Sequence, residues 1–358
     1  MNKNWLRTTI RDFEPYVVPE IKERIVINAN ESPYSIMNFP IVKEDFMERF
    51  KKLPSYHYPD PFANKLRQAL AEYVGTVPEE ILAGNGGDEI ISLIVNTFIN
   101  PGDTVLVHTP TFDIYEIDAS VLGATIVKVP DLPGYKRDVA GILKQMRELQ
   151  PKVTFICNPN NPTGELLPRD TIEEMIQASP NIVVIDEAYL EFAGQESVIP
   201  LLKKYDNLIV IRTLSKAFGL AGFRLGYGVA NADIINALSL TKLSYNLNTF
   251  TQLIGEVALQ HRADILKNNV PPTIEVREYL QRELAKLDGL TVYPSATNFI
   301  LVKTPDGDRY KEALSRADIC VRSYGSKADL KDCLRITVTT PGVANAVLAV
   351  FKKEANHA

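Results

Sequence analysis

Long apolar runs are missing from this sequence: no stretch is long enough and apolar enough to span a bilayer, which takes about 20 apolar residues. The N-terminal MNKNWLRTTIRDFEPY also has no apolar core of leader-peptide length. A cytoplasmic protein without a membrane partner is expected. Cysteine is scarce. Cys157, Cys320 and Cys333 form an odd set without close pairing, each in an apolar run (FICNP, DICVR, DCLRI) that reads as a strand, so buried free thiols are expected. The four histidines, His57, His108, His261 and His357, show neither metal-ligand spacing nor a clustered acidic partner, and no metal is predicted. Positive charge is not in excess either. With 39 Lys and Arg against 44 Asp and Glu, the net charge of -5 leaves no basic stripe for a run of phosphates, which argues against a nucleic-acid partner. Small anions remain open as ligands.

What is present is enough for a large buried core. A chain of 358 residues exceeds the size at which one hydrophobic core stops growing, so a large domain plus a smaller one, with a cleft between them, is expected. From about residue 80 to 230, short β-branched runs (ILAG, TVLVH, TIVKV, VTFIC, IVVID, LIVIR) alternate with helical patterns such as EIISLIVNTF, AGILKQMREL and TIEEMIQAS. This alternation predicts an α/β fold with a mostly parallel central sheet wrapped by helices. Ligands gather at the carboxyl ends of the strands in such folds. Beyond residue 230 come long helical stretches separated by Pro271 and Pro272, and then the strand-and-helix mixture of a smaller α+β lobe ending in a helix from Val343. The division expected is an arm over residues 1–30, a large domain over 31–270 and a small domain over 271–358.

Four strand ends carry unusual chemistry. ILAGNGGDE places Gly84, Gly86 and Gly87 before Asp88 at the start of a helix, where free N–H groups and the positive helix end suit an anion. The loop lacks both a third glycine in register for a dinucleotide fingerprint and the Gly-Lys of a nucleoside-triphosphate loop, and alone it reads as a turn. VTFIC runs into NPNNPTG, residues 158–164, whose prolines and glycine hold asparagine amides on a rigid frame. IVVI delivers Asp186, a carboxylate that must find a cationic partner or serve as a helix cap. LIVIR leads into TLSKAFGLAGFRLGY, which presents Thr213, Ser215, Lys216 and Arg224 together. Hydroxyls and a guanidinium suit a phosphate, and the lysine suits a carbonyl.

With these residues in view, the sequence closely resembles the fold-type I pyridoxal-phosphate aminotransferases and, within them, the histidinol-phosphate aminotransferase family. NANES, YHYPDP, GNGGDE, TPTF, NPNNPTG, DEAY, LSKAFGLAGFRLGY and CLRITV occur in that family's order and spacing over nearly the whole chain. The resemblance implies pyridoxal 5'-phosphate as cofactor, carried by Lys216 as a Schiff base, with Asp186 paired to the pyridine nitrogen. Asn161 and Tyr189 would hydrogen-bond the ring's phenolic oxygen. Gly87, Asp88, Thr213, Ser215 and Arg224 match the positions that hold the cofactor phosphate, and Phe112 matches the aromatic that stacks on the ring. Tyr58 is expected to reach the phosphate from the neighbouring subunit of a homodimer, with the N-terminal arm contributing to the small domain and the dimer interface. Arg335, Arg322 and Tyr16 match ligands of the substrate anion.

Two positions depart from that pattern. PYVVPE lacks the proline-glycine that commonly follows the tyrosine, and Gly87 stands where many relatives carry serine or alanine. The reaction implied is amino transfer from L-histidinol phosphate to 2-oxoglutarate, giving imidazole acetol phosphate and L-glutamate. An aromatic amino acid aminotransferase is the alternative within the class, and a decarboxylase of phosphorylated amino acids a more distant one. A ligand-sensing regulatory module on the same fold would need a DNA-binding segment, for which the chain has no spare domain or basic face.

Overall fold

Two sheets share the β-branched runs. The computed structural model describes residues 2–11, 13, 20–325 and 327–356. Its strands are β1 (Ile25–Ile27), β2 (Ile81–Asn85), β3 (Thr104–Thr109), β4 (Thr125–Pro130), β5 (Val153–Cys157) and β6 (Ile182–Asp186). They continue with β7 (Leu208–Thr213), β8 (Leu225–Ala230), β9 (Thr291–Val292), β10 (Phe299–Lys303), β11 (Ile319–Ser323) and β12 (Cys333–Thr337).

The larger sheet has the order β2-β8-β7-β6-β5-β3-β4. The β4–β3–β5–β6–β7 run is parallel throughout, and β8 is antiparallel to both of its neighbours. Strands covered on both faces read as continuous apolar runs, and β5, β7 and β8 are buried at every residue. Because β2 runs antiparallel to β8, it is aligned with β7. Asn85, Thr109, Cys157, Asp186 and Thr213 therefore end on one rim, which is where the loaded loops emerge.

The smaller sheet, ordered β1-β11-β12-β10-β9, takes β1 from near the start of the chain in parallel with β11. Side chains alternate across it. Ile300, Val302, Leu334 and Ile336 pack with Tyr310, Leu348 and Phe351 of the helices Gly307–Arg316 and Pro341–Ala355. Phe299, Leu301, Arg335 and Thr337 occupy the opposite face.

Pro271 and Pro272 do not separate two helices. They lie inside one continuous helix, Arg262–Leu284, which corrects the reading of the two prolines as a break. Ile265 near its start belongs to the core of the large sheet, whereas Val276, Leu280 and Leu284 belong to that of the small sheet. One rigid element thus serves both cores, and packing along its length outweighs the unfavourable proline propensity.

The histidines also gain partners that linear spacing did not show. His108 Nδ1 lies 3.4 Å from Asp131 Oδ1 in the interior, and His261 Nε2 lies 3.0 Å from Asp45 Oδ2. The cysteines fall on β5, β11 and β12 as free thiols. Among the described residues no helix is long and apolar enough to cross a membrane.

Candidate active site

The helix Gly87–Phe98 starts directly at the end of β2, and no side chain caps its first N–H groups. Gly86, just before it, sits at φ 86°, a conformation that favours glycine. Space is equally restrictive: a Cβ on Gly86 would meet Arg224 Nη2 at 2.5 Å, and one on Gly226 would meet Gly86 C and Gly87 N at 2.4 Å. The backbone at residues 86–87 is therefore pressed between β8 and the Arg224 guanidinium. Arg224 Nη2 donates to Asp88 Oδ2 at 2.8 Å. On the adjacent strand end, Thr213 Oγ1 lies 3.0 Å from Ser215 Oγ and accepts the Ser215 N–H at 3.1 Å. Helix N–H groups, two hydroxyls and a guanidinium make a cup of the kind a phosphate monoester occupies.

Lys216 follows this cup. The residue is half-buried, and its Nζ donates to the Ala29 carbonyl at 3.0 Å and lies 5.9 Å from the centroid of the Tyr189 ring. Burial, then the nearby charge of Arg335, and also that of Arg224, push its pKa down to about 8, against the opposing pull of Glu31 and Asp88. An appreciable fraction of this amine is consequently free base near neutrality, as a nucleophile for a carbonyl requires.

Asp186 closes the opposite side. It is buried, its Oδ2 accepts from the Tyr115 hydroxyl at 2.6 Å, and its Oδ1 accepts from the Ala188 N–H at 3.0 Å. Burial raises its proton affinity, and the Tyr115 bond is foremost among the contacts that oppose this.

The segment Asn28–Asn30 threads between the lobes and ties them at the site. Arg335 donates from Nη2 to the Asn28 carbonyl at 2.7 Å and from Nη1 to Asn161 Oδ1. Asn30 Nδ2 donates to the Tyr189 hydroxyl at 3.1 Å, and the Asn30 N–H donates to Thr337 Oγ1 at 2.9 Å. Arg322 lies directly opposite Arg335 in the β11–β12 register, with its guanidinium over the Tyr324 ring at 5.8 Å.

The structure thus brings Gly87, Asp88, Asn161, Asp186, Tyr189, Thr213, Ser215, Lys216, Arg224 and Arg335 to one rim, with Arg322 beside Arg335. Phe112, half-buried beyond β3, stands edge-on to Tyr115 with centroids 5.6 Å apart. Tyr58 is 80% exposed and stacks on Tyr245, centroids 4.6 Å apart. Tyr16 lies outside the described residues. Tyr115, Tyr324 and the Asn28 and Ala29 carbonyls carry no signal of this site in the sequence. Tyr115 stands in the first turn of the helix Ile114–Val121, close after Phe112, and its hydroxyl reaches Asp186 at the strand end.

Comparison with known proteins agrees with this geometry. Residues 23–351 match the family described as aminotransferase class I and II. The chain is 43% identical to the histidinol-phosphate aminotransferase of Thermoanaerobacter sp. (strain X514) over 340 residues, 95% of each protein. It belongs to the histidinol-phosphate aminotransferase family. A second member, from Ruminiclostridium cellulolyticum, is 38% identical over 344 residues and 95% of each protein. The fold is similar to that of the histidinol-phosphate aminotransferase from Sinorhizobium meliloti, solved in complex with pyridoxal-5'-phosphate, with a TM-score of 0.88, 27% identity and 98% of each chain covered. This family member is a pyridoxal 5'-phosphate-dependent transaminase. Its cup, its carboxylate and its softened lysine fit that cofactor's phosphate, ring nitrogen and aldehyde.

Proposed function

We propose that this enzyme transfers the amino group of L-histidinol phosphate to 2-oxoglutarate, releasing imidazole acetol phosphate and L-glutamate, as a cytoplasmic homodimer. The observation that carries the reading is the Arg322–Arg335 pair. Two arginines face each other across β11–β12: Arg335 donates to the Asn28 carbonyl and to Asn161, Arg322 lies over the Tyr324 ring, and among the described residues neither is paired with a carboxylate. A phosphate dianion satisfies both forks, and the distal carboxylate of glutamate takes the same place in the second half-reaction.

Bound in this site through Lys216, pyridoxal phosphate supplies an electron sink for the negative charge that develops at the substrate carbon. The remaining work falls to the chain. The N–H groups of Gly87 and Asp88, the hydroxyls of Thr213 and Ser215, and Arg224 hold the phosphate, with Asp88 fixing the guanidinium. Asp186 would keep the ring nitrogen protonated, Asn161 and Tyr189 would hydrogen-bond the phenolic oxygen, and Phe112 would cover the ring. Lys216 would hold the cofactor through its amine and, as a free base, would accept the proton leaving the substrate carbon, so that one residue would serve as anchor and general base.

The dimer rests on a different observation. Tyr56, Tyr58, Phe62, Leu243 and Tyr245 are large apolar side chains left exposed on one chain. A patch of this kind is normally covered by a partner. Tyr58 would then serve the neighbouring subunit's phosphate cup.

A donor panel tests the substrate. Histidinol phosphate, phenylalanine and tyrosine are compared at equal concentration with 2-oxoglutarate, and histidinol phosphate should have the highest kcat/KM. Phenylalanine or tyrosine as the better donor would shift the reading to an aromatic amino acid aminotransferase.

A further inference from the structure

Tyr115 is fully buried, yet its phenol does not end in a carbonyl or in solvent. It donates to Asp186 Oδ2 at 2.6 Å, a length typical of an O–H donor on an ionised carboxylate. The ring is clamped on two sides. It lies parallel to Phe155 with centroids 4.8 Å apart and an 8° tilt, and it meets Phe112 edge-on at 5.6 Å and 81°. With the Ala188 N–H on Oδ1, each Asp186 oxygen has one fixed donor and one direction left free.

We propose that Tyr115 is a positioning residue for transamination: its hydroxyl orients the Asp186 carboxylate toward the cofactor's ring nitrogen and stabilises the charge that holds the proton there. The inference rests on the reading above, in which Asp186 faces that nitrogen. It goes further in assigning the control of Asp186 to Tyr115, acting through that carboxylate.

The surroundings explain why a donor is needed. Burial and the charge of Asp88 on the helix Gly87–Phe98 both favour the protonated acid, and Lys216 opposes them. Cys157 on β5 and the buried Arg137 also face this cluster. A protonated Asp186 would lose its hold on a pyridinium, because both donors it now receives are matched to the anion. The phenol itself is pushed far above its ordinary range by burial and by Asp186, so it remains a donor throughout the working pH range.

Tyr115→Phe in the holoenzyme deletes one oxygen and keeps the clamped ring. Loss of a hydrogen bond to a charged group predicts a fall in kcat of roughly ten- to a hundredfold, with KM for amino donor and oxo-acid changed by about twofold or less. The dissociation constant of pyridoxal phosphate, read by absorbance, should rise about tenfold. In an Asp186→Asn background the same Tyr115→Phe change should move that constant by about threefold or less, since the hydroxyl acts through the charge. Unchanged kcat and cofactor affinity in Tyr115→Phe, or an equal loss in the Asp186→Asn background, would overturn the proposal. Borohydride reduction separates the two levels. A Lys216 label in the wild type together with unchanged kcat and cofactor affinity in Tyr115→Phe sinks this inference alone, whereas a wild type that carries no label on Lys216 sinks the reading beneath it.

Discussion

Arg322 and Arg335 are cross-strand neighbours, directly opposite in the antiparallel β11–β12 register. Like charges so placed repel, and such a pair costs stability unless an anion lies between the forks. The arrangement stores a preference for a ligand with more than one negative charge. Arg335 is further committed through the Asn28 carbonyl and Asn161, whereas Arg322 leans on the Tyr324 ring.

Replacing Arg335 with lysine keeps the charge and removes the fork. Transition-state binding should weaken by about 1.5 to 3 kcal/mol in both half-reactions, the scale of a charged hydrogen bond. Arg322→Ala should instead depress the histidinol-phosphate half-reaction selectively, because Arg335 alone can hold a monoanionic carboxylate. Single-turnover kinetics with each donor read the split. Equal loss in both half-reactions for Arg322→Ala would remove the phosphate assignment.

Gly226→Ala should damage cofactor binding more than any side-chain change in the cup. The added Cβ would lie 2.4 Å from the backbone of Gly86 and Gly87, and backbone cannot yield as a flexible side chain does. Displacing those N–H groups should raise the pyridoxal-phosphate dissociation constant by about a hundredfold, as expected when several charge-assisted bonds are misaligned together. Equilibrium dialysis gives the constant. Affinity within threefold of wild type would show that the backbone here is no phosphate ligand.

The pH dependence follows from Lys216. Its pKa is pushed down from an ordinary 10.5 to about 8 by burial and by the Arg335 and Arg224 charges. Recombination of apoenzyme with pyridoxal phosphate should speed up with rising pH and level off above about 8, where an unperturbed lysine would still be titrating. Stability of the apoenzyme moves the same way. Between pH 8 and 10.5 the unfolded chain binds more protons than the folded one, so this group's destabilising contribution is full below 8 and fades as pH climbs toward 10.5. Stopped-flow absorbance checks the first statement. A rate still rising steeply at pH 10 would contradict it.

Subunit mixing tests the placement of Tyr58, which stands exposed against Tyr245 on its own chain. Inactive Lys216→Ala and weakened Tyr58→Phe, exchanged into hybrid dimers, should form one site with both residues intact, and activity should rise above that of either parent. No gain under conditions where subunits demonstrably exchange would leave Tyr58 without a role across the interface.

Much of this was legible in one dimension because the chemistry sits at strand ends. Asp186, Thr213 and Lys216 follow apolar runs that could only be buried strands, and the parallel alternation places those ends on one rim. The antiparallel β8 is harder to see, since Gly226 and Gly228 weaken its strand pattern, while the backbone of Gly86 and Gly87 needs the small size of Gly226 and the Ile90 side chain packs close to Gly228. Pro271 and Pro272 misled for the opposite reason: they carry a strong local signal, and a helix serving two cores overrides it. Tyr115 reads as an ordinary core aromatic until β6 places Asp186 against its hydroxyl, a contact spanning 71 residues of sequence. The Asn28 and Ala29 carbonyls carry no side-chain signal, because their part is played by backbone oxygen.

The most direct test of the account is covalent. Borohydride reduction of the purified yellow holoenzyme, followed by digestion and mass spectrometry, should place the reduced cofactor on the peptide that contains Lys216, and bleach the visible absorbance in step with labelling. Lys216→Ala should still bind the cofactor through the intact cup and Asp186, yet take no label and nearly lose transamination. The cofactor mass on any other lysine, or near-wild-type turnover by Lys216→Ala, would contradict the account at its centre.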